Sequence, residues 1–208
     1  MDCSEFGVPR GTIDNYIDLL LDWNEKINLI SLKDKEELIN RHILDSLQLM
    51  KYIKKDQKIC DVGSGAGFPG LMLSFAGIKK IHLVEKVSKK ANFLIVAAAL
   101  STNEVIVHNS SIEEIKIDSC EVITSRGFSS LDNIFFATKN IYDKRTKYIL
   151  QKGKNVEEEI KNALENWSFE YIMHKSETSE EGCILQVEHL KENEKKNNSG
   201  SKSKGWSR

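Results

Sequence analysis

The chain has 208 residues, 40% of them hydrophobic, which is enough for one sizeable core and sets a single main domain as the expectation. Its 30 basic and 31 acidic side chains leave a net charge of −1, so the total field does not mark a nucleic-acid partner; Cys3, Cys60, Cys120 and Cys183 form no CxxC pair, arguing against a zinc site and a disulfide framework. The longest apolar run, Phe93 to Leu100, is far short of the roughly 18 residues that span a bilayer, and MDCSEFGVPRG has no export pattern, so a cytoplasmic protein with small, buried, reduced cysteines is expected.

From Ile13 to Ile27 apolar residues fall at helical spacing, with Thr12 available as a cap. A second helical stretch spans about 34 to 53, with Leu38, Ile39, Ile43, Leu47 and Met50 on one face. The texture then changes. KICDV (58–62), IHLVE (81–85), EVIVH (104–108), EVITS (121–125) and KYILQ (147–151) read as strands, with helices after the first, second, fourth and fifth. FEYIM (169–173) and CILQV (183–187) follow with only a loop between them, so they run antiparallel to each other. Alternation on short connections predicts an α/β fold with helices on both faces, and the expected sheet is seven-stranded and mostly parallel with an antiparallel last strand. The expected organisation is a helical segment over 1–57 packed on a domain over 58–190. A basic tail over 191–208, rich in Lys, Asn, Ser and Gly, is expected to be disordered.

The segment CDVGSGAGFPG (60–70) follows the first strand, where doubly wound sheets bind ligands. No GK[ST] follows, which excludes a phosphate loop. Gly65, Gly67 and Gly70 satisfy the dinucleotide pattern GxGxxG, and Glu85 stands about 20 residues on. The strand ends at Val62, however, so the first turn falls on Gly63 and the frame reads GxGxG led by Asp61. A carboxylate there suits a cationic ligand such as S-adenosylmethionine better than a pyrophosphate, or it accepts N–H bonds from its own turn. Glu85 can accept both hydroxyls of an adenosine ribose. In SIEEI (111–115), Ile112 offers an apolar plate for adenine and Glu113 an acceptor for its amino group; the plain alternative is a helix cap. These features in this order suggest a class I methyltransferase with a Rossmann-like fold. A nicotinamide-dependent oxidoreductase is the rival from another class, and a non-catalytic binding module is the third reading.

Seven segments carry a closer likeness: NEKINLIS (24–31), RHILDSL (41–47), DVGSGAGFPG (61–70), EKVSKKANFL (85–94), SSIEE (110–114), TSRGF (124–128) and QKGKN (151–155). In this order and spacing the chain resembles the RsmG family, the bacterial 16S rRNA guanine-N7 methyltransferases formerly called glucose-inhibited division protein B. The resemblance covers roughly 13 to 190. It implies methyl transfer from S-adenosylmethionine to N7 of a guanine in the 530 loop, with 16S rRNA or the small ribosomal subunit as partner; no metal and no membrane are expected, and the oligomeric state is left open, with a monomer preferred. It carries cofactor contacts onto Gly63, Phe68, Ile112, Glu113 and Arg126, joining Asp61, Gly65 and Glu85. Gly127 departs from the family's usual alanine. A methyltransferase of the same fold with another RNA or a small-molecule substrate is the nearest alternative.

Guanine N7 carries a free in-plane lone pair, so no general base is needed and alignment supplies the catalysis. That accords with a sequence showing no catalytic triad. Spacing alone favours an Arg41–Asp45 surface pair beside a core histidine; the resemblance turns Arg41 and His42 toward the substrate. Lys89, Lys90 and Lys152 are the candidates for RNA phosphates, Lys152 foremost because it follows the fifth strand.

Overall fold

In a computed structural model of the chain, residues 2–9, 11–31 and 34–194 are described. A seven-stranded sheet is ordered β3-β2-β1-β4-β5-β7-β6. The strands are β1 (Lys58–Val62), β2 (Lys80–Val84), β3 (Glu104–His108), β4 (Val122–Arg126), β5 (Lys147–Lys152), β6 (Trp167–Lys175) and β7 (Cys183–Glu192). The first five are parallel, and β7 inserts antiparallel between β5 and β6. The expected class is therefore observed. The order reverses between β1 and β4, which puts the topological switch point at the glycine segment.

Burial explains the sheet. Ile59, Cys60, Asp61 and Val62 are all buried, as a strand covered on both faces requires. Alternate residues feed opposite cores: Ile59, Ile81 and Leu83 join one cluster, Cys60, Val62 and Val84 the other. The first cluster takes side chains from helices α1 (Thr12–Asn24), α4 (Gly70–Phe75) and α5 (Ser88–Ala98); the second takes them from α6 (Leu131–Ala137) and α7 (Val156–Asn166). Tyr16, Ile17, Leu20, Leu38 and Ile43 are buried in the first cluster, so the N-terminal segment shares the core of the sheet.

Several expectations change. Gly11 occupies the N-cap of α1 with no side-chain cap, so Thr12 opens the helix rather than capping it. The second helical stretch is not one α-helix. It runs as α2 (Lys35–Leu38), a π-helical turn (Ile39–Leu44), α3 (Asp45–Leu47) and a 3-10 turn (Gln48–Lys51). Strand β7 continues through Glu192, into the stretch expected as tail, because Trp167 and Ser168 of β6 pair with Glu192 and Lys191. The rest of that tail, 195–208, lies outside the described residues. Cys60 and Cys120 are buried, whereas Cys3 and Cys183 are half-exposed; all four are free.

Candidate cofactor and RNA site

The glycine segment is anchored from below. Tyr16, fully buried, donates its hydroxyl to the Ala66 carbonyl at 2.5 Å, and the Gly63 and Ser64 amides donate to Val84 O at 3.0 and 3.1 Å. Asp61 is fully buried and accepts from the Gly70 amide at 3.2 Å and from Thr124 Oγ1 at 3.0 Å. Burial raises its carboxyl to about 6 although both hydrogen bonds favour the charged form. Of the two readings of Asp61, the geometry shows the one in which it braces its own turn.

Gly63 has φ +74°, a region L side chains avoid, and a Cβ there would lie 2.4 Å from Phe128 Cδ2. The turn is thus open backbone roofed by one aromatic ring. Glu85 reaches over from the end of β2, accepting from Gly65 N at 3.0 Å and Val87 N at 2.8 Å. Each of its oxygens keeps a second lone pair, so acceptor capacity for hydroxyl donors remains. Beyond Phe128 lies a depression of about 390 Å³ bordered by Glu113, Phe136 and Asn133. Glu113 is exposed there, but Ile112 is 3% exposed and belongs to the second core cluster, so it presents little of a plate. A glycine cradle, two carboxylates and aromatic walls fit a cationic sulfonium nucleoside.

The second half of the site gathers around Arg126. Its guanidinium lies 4.9 Å from the centroid of the Phe68 ring and donates to His42 Nδ1 at 2.7 Å, to Arg41 O at 3.3 Å and to Asp45 Oδ2 at 3.4 Å. His42 stacks on the same Phe68 ring at 5.1 Å. Because arginine only donates, His42 Nδ1 is the acceptor and Nε2 carries the proton. Burial, then the Arg126 and Arg41 charges, lower the His42 imidazole to about 4, so it is neutral at pH 7. Arg41 and His42 sit on the π-helical turn, the kind of local irregularity that recurs at functional sites. With Arg126, Asp45, Gln151 and the loop after β6 they border an open cleft of about 630 Å³, ample for a nucleoside.

Other assignments shift. Arg41 pairs with Glu37 at 2.6 Å, not with Asp45, which faces Arg126 instead. Lys89 is exposed and Lys90 half-buried at the start of α5, after β2. Lys152 is corrected. Its side chain is 7% exposed and its Nζ meets Glu159 at 2.6 Å and Ser129 O at 2.9 Å, so it ties the loop after β4 to α7 instead of facing phosphate. Lys152→Ala is expected to lower stability by about 2 kcal/mol, since a mostly buried pair loses one partner, and to leave the salt dependence of activity unchanged. Urea denaturation and a salt series check the two arms. The departure at Gly127 has a local reason: its φ is +64°, and a Cβ there meets nothing within 4 Å.

Asp61 supplies a pH test. Its raised carboxyl stabilises the fold below the unfolded value of about 3.9, and that contribution is lost as pH rises through about 6. Asp61→Asn removes the buried charge at similar volume. The urea midpoint of the variant relative to the wild type should therefore climb between pH 4 and 6 and then level. The span is on the order of 3 kcal/mol. A difference that falls with pH would contradict the assignment.

Sequence reasoning missed Asp45, Gln151 and Phe128 as parts of the site. Asp45 and Gln151 each lie inside a quoted motif, but Asp45 meets Arg126, Gln151 and Thr178 across 81, 106 and 133 residues of chain. Phe128 is 37% exposed, an unusual place for a phenylalanine. Among the described residues no group of three or more His, Cys, Asp or Glu is arranged for a metal, and no helix is long and apolar enough to cross a membrane.

The model of the family described as rRNA small subunit methyltransferase G matches residues 10–187. A Rickettsia felis protein named Ribosomal RNA small subunit methyltransferase G is 46% identical over 187 residues, covering 88% of this chain and 96% of the relative. A Rickettsia akari protein of the same name is 47% identical over 173 residues, covering 83% and 90%. Solved structures share the fold at low identity. The chain aligns with M. jannaschii TYW2, solved in complex with AdoMet, at TM-score 0.56 and 13% identity, covering 79% of each chain. It aligns with a ribosomal protein L11 methylase from Lactobacillus delbrueckii subsp. bulgaricus at TM-score 0.56 and 13% identity, covering 76% and 80%.

Proposed function

The chain belongs to the rRNA small subunit methyltransferase G family, and from that premise we propose that its site methylates N7 of a guanine in the 530 loop of 16S rRNA. It is an S-adenosylmethionine-dependent methyltransferase of small-subunit rRNA. One observation carries the finer reading: Arg126 joins the glycine turn to the polar cleft, lying over Phe68 of the one and bonding His42 of the other. A nucleotide in the cleft is thereby next to the turn.

S-adenosylmethionine, when bound, supplies the electrophilic methyl. Gly63 and Gly65 would allow close backbone approach, Glu85 would accept the ribose hydroxyls, Glu113 would face the adenine with Ile112 behind it, and Phe128 covers the turn. Phe68 underlies Arg126, and Asp61 braces the loop from beneath. Guanine N7 needs no deprotonation, so the chain's task is orientation. Neutral His42 has only Nε2–H free, a donor of the kind that meets O6 beside N7. Arg41 and Lys89 are exposed and Lys90 half-exposed, suited to phosphates; the double variant Lys89→Ala/Lys90→Ala should lower the log–log salt slope by about 1 to 2. An unchanged slope removes both lysines from the interface. We place the enzyme in the cytoplasm, acting as a monomer.

The test is methyl transfer from labelled S-adenosylmethionine to small subunits lacking the modification, with the product mapped by mass spectrometry. A single N7-methylguanosine in the 530 loop is expected. Methylation at another atom or nucleotide would refute the finer assignment and leave the family intact.

A further inference from the structure

One residue that borders the cleft carries a buried side-chain oxygen with no hydrogen-bond partner among the described residues. Gln151, the last residue but one of β5, lies beside Arg126 on β4, is 8% exposed, and borders the cleft. Its Nε2 donates to Asp45 O at 2.9 Å and to Asp45 Oδ2. Both are acceptors, so the nitrogen end of the amide is assigned by its partners and the carbonyl end is the one left over. That oxygen, Oε1, is buried without a hydrogen bond among the described residues. An unsatisfied buried acceptor forfeits its hydration without replacement, and native structures keep few of them.

Asp45 is fully used. Oδ1 accepts from Gln48 at 2.7 Å and Thr178 at 2.6 Å, and Oδ2 from Arg126 and Gln151. It therefore holds its neighbours in place and offers nothing further to a ligand. Around the rim of the cleft stand the charged groups Lys154, Glu181 and Arg41, the last paired with Glu37, while the orphan on Gln151 is a neutral acceptor on the β5 wall.

We propose that Gln151 Oε1 accepts a hydrogen bond from the Watson–Crick edge of the target guanine, making Gln151 a specificity residue and Asp45 the group that positions it; this rests on the guanine reading given above. Guanine presents N1–H and N2–H donors on that edge, on a different side of the ring from N7. Adenine presents a bare N1 acceptor instead, which would face the carbonyl oxygen with no proton between them. A base that reaches Oε1 supplies the missing donor, so guanine gains where adenine pays for an unpaired group.

The test is a substrate–enzyme cycle. Small subunits are assembled with guanosine, 2-aminopurine ribonucleoside (no N1–H, no O6) or inosine (no N2 amine) at the target position. The rate constant kcat/KM is measured for wild type and for Gln151→Met, which keeps the length of the side chain and removes the carbonyl. Wild-type transfer to the guanosine substrate tests the parent reading by itself. Wild type is expected to lose about 10-fold or more on at least one analogue, and Gln151→Met to lose about 10-fold less on the same analogue. Loss of O6 affects both enzymes and cancels. Equal penalties in both enzymes for both analogues would overturn the proposal. So would a wild type that accepts both analogues as well as guanosine, a result that needs no variant to fold.

Discussion

Replacing Arg126 with lysine is expected to cut methyl transfer about 100-fold while the chain stays folded. The guanidinium spans three acceptors at once, His42 Nδ1, Arg41 O and Asp45 Oδ2, with its flat face near Phe68. A lysine keeps the charge but presents one point of it, and the fork that fixes both the π-helical turn and the aromatic stack is lost. His42 would then be free to rotate and to exchange tautomer. Displacements of about 1 Å in an alignment-driven reaction cost about 100-fold. Stability should fall by only about 1 kcal/mol, because Asp45 keeps Gln151, Gln48 and Thr178. Steady-state kinetics with small subunits, alongside a urea titration, reads the two quantities separately. A lysine variant with wild-type kcat would show that the charge alone matters and that the bridge has no role in alignment.

The second large effect separates two glycines only seven residues apart. Gly70→Ala should destabilise the chain by about 3 kcal/mol or more, a large part of the 5–15 kcal/mol that holds a typical domain. Its Cβ would lie 2.5 Å from Leu83 Cδ2, 2.7 Å from Asp61 Cβ and 2.8 Å from Asp61 Oδ2, and both neighbours are fully buried in strands. Relief would part Asp61 from the Gly70 amide and leave a buried carboxylate short of a donor. Gly63→Ala meets a different obstacle. Its positive φ costs about 1–2 kcal/mol, but the atom in its way belongs to Phe128, a surface ring that can swing out. The alanine variant should fold, and its affinity for S-adenosylmethionine should drop at least about 10-fold, as the added methyl stands in the cradle. Calorimetric titration of the cofactor and thermal melting tell the cases apart. If Gly70→Ala melts like the wild type, or Gly63→Ala binds cofactor normally, the corresponding account is wrong.

Much of the site could be read from residues alone. Gly63, Gly65 and Glu85 come together as their spacing implied, the carboxylate reaching the loop 20 residues before it. Arg126 and Phe68, which only the family resemblance singled out, meet at the end of β4. Lys152 was misjudged because position after a strand says which end of the sheet a residue occupies, not which partner claims it. Glu159, one helical turn into α7, claims it. Asp61 was legible as an unusual buried acid, but the identity of its donors depended on Thr124, 63 residues on.

What the sequence determined by itself was everything with a local physical signature. Lys58–Val62, Glu104–His108 and Leu131–Ala137 fall where the apolar pattern and turn residues set them, since strand and helix periods are properties of a few adjacent side chains. Only the tertiary structure decided the insertion of β7 between β5 and β6, the π-helical turn that carries Arg41 and His42, and the web of Asp45 with Arg126, Gln151 and Thr178. Those contacts join residues 81 to 133 positions apart, and a hydrogen bond between distant residues leaves no trace in the spacing of either. The cleft is made of such bonds, which is why its walls emerge only when the chain has closed on itself.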